Sequence, residues 1–200
     1  MTEFFLNQEC GETQYHDTVL KHHFTFGTYY APTKFGRSTL RRADYIFLNN
    51  NYLSTAERNH LFLIYPLQDG ITLTLNDTEY AVRKNQLSSF VLPQGTRINL
   101  GSSNPSTILL FECDILKVTP EAVIPFDLSD TSYHTDINVF ECDDMADINN
   151  DNKHFFGFIL HGNVTIDAIT INTYDGFFGD KPMKITGNAK ILTFSMPIPL

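Results

Sequence analysis

Tryptophan is missing from this chain, and basic residues are few: 14 Lys and Arg stand against 23 Asp and Glu among 200 residues. The net charge of −9 repels a phosphate backbone, which argues against nucleic acid as a direct partner. It argues equally against an anionic membrane surface. One basic cluster exists, Arg37, Arg41 and Arg42 with Lys34. Charge of this kind speaks to association and not to fold.

Cysteine is also scarce. Cys10, Cys113 and Cys142 are odd in number and widely spaced, which fits neither a disulfide framework nor a zinc site. Reduced thiols are expected. Cys142 lies among Glu141, Asp143 and Asp144, whose charges disfavour a thiolate nucleophile. No apolar run approaches eighteen residues, so no transmembrane helix is expected. The first residues lack a basic segment followed by an apolar stretch and do not read as a signal peptide. A cytoplasmic protein is the expectation, and the Asn-x-Thr sequons at Asn76 and Asn163 then carry little meaning. There is no G-x-S-x-G elbow, no P-loop and no G-x-G-x-x-G fingerprint.

What the chain does have is β character. Apolar residues make up 42% and charged residues 18%, a globular composition. Seventeen Phe and nine Tyr suit pleated, half-buried surfaces. Short β-rich runs cover Tyr45–Leu48, Leu61–Tyr65 and Ile71–Leu75, the last alternating apolar residues with Thr. Asp69-Gly70, Asn76-Asp77 and Pro93-Gln94-Gly95 read as the turns between such runs. Thr107–Cys113 reads as a buried strand. Close, regular spacing of this kind means a sandwich or barrel. Residues 116–152, with Pro120, Pro125 and an acidic stretch, read as a connection with a few short elements. A second β region follows through 155–171 and 189–194. No long 3.6-residue period occurs; short turns are expected near Ser54 and over Pro120–Val123.

His23 to Tyr30, followed by Pro32, Phe35-Gly36 and Leu40-Arg41, resembles the opening segment of the pirin family, which typically reads H-x-F-S-F-A-x-Y-Y-x-P, then F-G and L-R. The resemblance covers residues 22 to about 113. It implies an all-β bicupin: a cupin-type β-barrel (double-stranded β-helix) over residues 1–115 and a smaller cupin-like β unit over 116–200. Pirin-like proteins carry a motif like H-P-H-R-D-M-E and a second like A-G-T-G-V-T-H-S-E-x-N, whose three His and one Glu bind iron or a similar metal. Some members resemble quercetin dioxygenases, and others are described as regulators.

Placed without gaps, the second motif falls on Gln94–Asn104. Gly95, Thr96 and Asn104 fit, but the His position is Leu100 and the Glu position is Ser102. No His occurs between His60 and His134. The first motif falls on Thr55–Leu61, where Thr55 and Glu57 stand for its two His, and Arg58 fits. A first-row divalent metal needs imidazole and carboxylate lone pairs converging on one point. Leu100 and Thr55 cannot supply them. The weak metal candidates are Glu57 and His60, which at i and i+3 on a strand would face opposite ways.

Other constellations read as ordinary structure. His22 and His23 fit a strand start, and His154 and His161 face opposite ways on a strand. Asp147–Asn152 resembles the start of a calcium loop, but Phe158 occupies the position that needs a bidentate Glu. Glu57 and Glu79 could form a carboxylate pair only if the barrel brings them together.

The expectation is therefore a degenerate pirin-like cupin without a working metal site and without a cofactor, unless iron or another divalent metal. It would bind a small ligand or a protein through a barrel interior lined by Thr55, Glu57, Leu61, Leu100 and Ser102. Leu63, Leu73, Leu75, Val91 and Leu109 are further lining candidates. The alternatives are a metal-dependent quercetinase-like dioxygenase and a structural protein that dimerises through a sheet edge.

Overall fold

The computed structural model describes residues 2–25, 40–114, 120–125, 136–148 and 153–197. Lys34, Arg37, His134, most of the pirin-like opening segment, residues 149–152 of the calcium-like loop and the side chain of His154 lie outside them. Among the described residues there are seventeen strands and no helix, so no helix is long and apolar enough to cross a membrane.

In chain order the strands are β1 (Thr2–Phe5), β2 (Gly11–Tyr15), β3 (Thr18–Thr25), β4 (Leu40–Leu48), β5 (Asn51–Thr55) and β6 (His60–Pro66). They continue with β7 (Ile71–Leu75), β8 (Thr78–Val82), β9 (Ser88–Leu92), β10 (Arg97–Gly101), β11 (Ser106–Asp114) and β12 (Ile124–Pro125). The last five are β13 (Asp136–Ile148), β14 (Lys153–Ile166), β15 (Ile169–Asn172), β16 (Gly176–Gly179) and β17 (Met183–Pro197). Two compact units result, one from β2–β12 and the other from β1 with β13–β17. A linear cut at residue 116 puts β1 in the first unit and β12 in the second. Instead β1 pairs with β16, and β12 pairs with β9.

The first unit has two antiparallel sheets. One is ordered β5-β10-β7-β8, the other β12-β9-β6-β11-β4-β3-β2. Both contribute to one apolar core: Tyr52, Leu73, Leu75, Ile98 and Leu100 from the smaller sheet, and Leu20, Ile46, Leu48, Phe62, Ile64, Phe90, Leu92, Ile108 and Leu110 from the larger. The alternation in Ile71–Leu75 is realised, with the three apolar residues buried and the Thr residues at least partly exposed. β6 is buried on both faces. That is why its sequence is a continuous apolar run and not an alternating one.

The turns follow their residues. Asn76, between β7 and β8, takes φ +55°, a conformation that Asn tolerates better than most residues. Gly95, between β9 and β10, takes φ +85°, and the Thr96 amide closes the turn on the Pro93 carbonyl at 3.2 Å. Ser54, expected in a short turn, belongs to β5, because its neighbours pair along β10 from Asn51 to Thr55.

The second unit is one sheet, β1-β16-β14-β17-β13, with β15 on β14. The acidic stretch expected as a connection is instead the thirteen-residue β13. Its period is 2: Phe140, Cys142, Ala146 and Ile148 pack inward, while Glu141, Asp143 and Asp147 are exposed. Glycine and phenylalanine interlock in the core. A Cβ at Gly157 would lie 2.0 Å from Phe177, and one at Gly179 2.4 Å from Phe155. The two rings meet edge to face at 6.1 Å.

Candidate functional site

Strand parity decides what faces the first core. Ile46 and Leu48 point into it from β4, so Arg42 and Asp44 share their face. Ile108 and Leu110 put Glu112 inward on β11, and Leu20 puts His22 inward on β3. Register aligns these positions: His22 is paired with Asp44, and Arg42 with Glu112. The larger sheet thus carries a polar row on the same face as its apolar residues.

The row is continuously bonded. The Arg42 Nε–H donates to Asp44 Oδ2, and Arg42 Nη1 donates to Glu112 Oε1 at 3.0 Å. His22 Nδ1 lies 3.0 Å from Asp44 Oδ1, and its Nε2 lies 2.8 Å from Thr13 Oγ1. With Nδ1 donating to the carboxylate, Nε2 accepts from the threonine hydroxyl. Asp44 is fully buried, whereas Arg42, His22 and Glu112 keep about a fifth of their side-chain surface open. Burial of the Arg42 guanidinium works against its charge. The carboxylates of Asp44 and then Glu112 outweigh that cost and raise its pKa above the ordinary arginine range.

His60 completes the row. It follows the inward parity of Phe62 and Ile64 and is paired with Asp114 and Leu92. It is 1% exposed. Its Nδ1 lies 2.9 Å from the Arg58 carbonyl. A carbonyl only accepts, so Nδ1 carries the proton and Nε2 is left as an acceptor. That Nε2 is buried and has no hydrogen-bond partner among the described residues. Buried polar atoms are nearly always paired, so an orphan of this kind is informative.

The sequence-based site residues fall elsewhere. Thr55 is exposed on β5 and pairs with Arg97, so it faces away from the core that Leu100 enters. Glu57 and Glu79 are both exposed, so neither lines the interior. Leu61 is buried, but it lies on the opposite face of β6 from Phe62 and Ile64. Leu63, Val91 and Leu109 likewise alternate with the inward residues of their strands, whereas Leu73 and Leu75 point in. Ser102 lies just past β10, and its hydroxyl donates to the Asn104 carbonyl. Among the described residues, no group of three His, Cys, Asp or Glu is placed to hold a metal ion.

The row was partly readable. Arg42, Asp44, Ile46 and Leu48 show the period-2 relation directly, but grouping Arg42 with Arg41, Arg37 and Lys34 as one basic cluster hides it. His22 and His23 separate for the same reason. His23 is buried on the other face of β3, 4.9 Å from the Tyr45 ring.

No family model matches this chain, and no curated protein matches it. Solved structures do. YhhW from Escherichia coli superposes with a TM-score of 0.77 at 16% identity, covering 100% of this chain and 99% of that one. This chain has the pirin-type cupin fold. The nickel(II) complex of the same bacterial pirin gives 0.75, also at 16% identity and with full coverage of both chains. Quercetin 2,3-dioxygenase from Acinetobacter baumannii gives 0.69 at 10% identity, covering 98% of this chain and 86% of that one.

Proposed function

We propose that this chain is a metal-free cupin module that binds a small ligand at the polar end of the first core. The carrying observation is His60 Nε2, a buried acceptor without a donor, on the same face as the Arg42–Asp44–Glu112 row. A buried unpaired acceptor costs roughly 1–3 kcal/mol. A ligand hydroxyl or amide N–H would offset that cost.

The donor set at the motif positions supports the metal-free reading. Thr55 faces outward, Glu57 is exposed, Leu100 is an aliphatic core residue and Ser102 is bonded to its own loop. These groups do not fit a first-row metal, which needs several imidazole and carboxylate donors at one point. No oxygenase step is therefore assigned. β13 offers little to the dimerisation reading, since Glu141, Asp143 and Asp147 flank its exposed Val139 and Met145. A second copy paired there would oppose like charges.

Protein-observed heteronuclear NMR with a library of neutral hydroxyl- and amide-bearing fragments tests the reading. Binders that shift the amides of β4, β6 and β11, and that are lost in His60→Leu, are expected. A library without a single binder, or binders indifferent to His60→Leu, would overturn it.

A further inference from the structure

The outer face of the smaller sheet carries a second feature, separate from the core row. A shallow cleft of about 380 Å³ lies over β5, β10 and β7, lined by Leu53, Thr55, Thr74, Asn76, Arg97 and Asn99 among others. Its volume lies within the range of small-ligand sites. Two cross-strand rows build it: Leu53, Asn99 and Thr74 are register partners, and Thr55 is the partner of Arg97.

Apart from Arg97, the polar groups of the lining are neutral and amphiprotic. Asn99 Oδ1 is closed off from solvent and has no hydrogen-bond partner among the described residues. Among the described residues the hydroxyls of Thr55 and Thr74 bond no protein group either. Arg97 is the one cation in the lining, and its Nη2 already donates to Asp77 at 2.9 Å. An anion would find that charge answered, and the net charge of −9 would oppose its approach. Leu53 is half exposed and supplies an apolar patch beside the polar groups.

We infer that this cleft binds a neutral polyhydroxylated ligand, a saccharide. An Asn side chain offers one acceptor and two donors in a plane. With the Asn99 amide turned about its terminal bond so that Oδ1 faces the cleft, adjacent hydroxyls of a sugar can donate to Oδ1 and accept from Nδ2. The threonine hydroxyls serve either role, and Leu53 packs against ring C–H groups. The ligand thereby supplies the donor that Asn99 lacks.

The test is a heteronuclear NMR titration of the full chain with neutral oligosaccharides of glucose, galactose, mannose and xylose. At least one should shift amides of Leu53, Thr74 and Asn99. Asn99→Ala should weaken that sugar at least tenfold. Thr55→Arg changes an exposed residue and fills the cleft, so it should abolish binding while the fold is kept. His60→Leu should leave sugar binding unchanged, which separates this site from the core row. The inference is overturned if no sugar shifts these amides, if shifts map to the core row, or if Thr55→Arg binds as the native chain does. A high-resolution crystal structure with only an ordered water on Asn99 Oδ1 after sugar soaking would overturn it as well.

Discussion

The two walls of the first core are both antiparallel sheet, yet they carry different chemistry. The β5-β10-β7-β8 wall presents Ile98, Leu100, Leu73, Leu75 and the ring of Tyr52. The facing wall begins with similar aliphatics, then changes within single strands to Arg42, Asp44, Glu112, His22 and His60. The pirin-like motifs direct attention to the first wall, and the polar groups sit on the second. A fold fixes which positions face inward; it does not fix which of them hold the chemistry.

The largest expected effect comes from breaking the charged wall. Asp44→Ala would leave Arg42 and His22 without their shared, fully buried carboxylate. Removing one partner of a buried pair costs about 3–5 kcal/mol. Urea denaturation should show a loss of that size. A loss below about 1 kcal/mol, the usual worth of an exposed pair, would mean that the row is a solvated surface feature.

The second unit provides the contrast, because its core holds apolar side chains and Cys142. There the sensitive position is steric. Gly157→Ala places a methyl carbon against the Phe177 ring, and overpacking of this kind costs about 1–3 kcal/mol. An unchanged denaturation midpoint would show that the Phe177 ring is free to move.

His60→Leu sharpens the comparison in the other direction. It removes the orphaned acceptor together with the bond to the Arg58 carbonyl, so stability should change by no more than about 1 kcal/mol. Ligand binding should nevertheless be lost. A large loss of stability without ligand present would show that His60 is a structural residue.

The smallest effect is a pH dependence in the second unit. Burial, then the charges of Asp143 and Asp144, pushes the Cys142 thiol up. In the unfolded chain the thiol ionises from about 8.5, while in the fold it resists. Stability from this group is therefore complete below that pH and falls as the pH rises through the folded value. Cys142→Ala should flatten the decline. An equal decline in both proteins would place its cause elsewhere.

Much of the fold was legible in the sequence. The alternation over Ile71–Leu75 and the turns at Asn76 and Gly95 follow from local chemistry and stand in the structure. β13 was missed because its acidic residues read as a loop, although they alternate with Phe140, Cys142, Ala146 and Ile148. β1 was assigned to the wrong unit because its pairing with β16 spans the chain, and no local pattern announces such a contact. The site was less legible. Its bonds join β2, β3, β4 and β11, and only the Arg42 and Asp44 parity was visible in one segment.

Elemental mass spectrometry on freshly purified, untagged protein, before and after incubation with iron(II), tests the central claim most directly. Substoichiometric transition metal is expected in both samples, with no gain on incubation. A full equivalent of metal per chain, removed by a chelator and restored by iron, would contradict it.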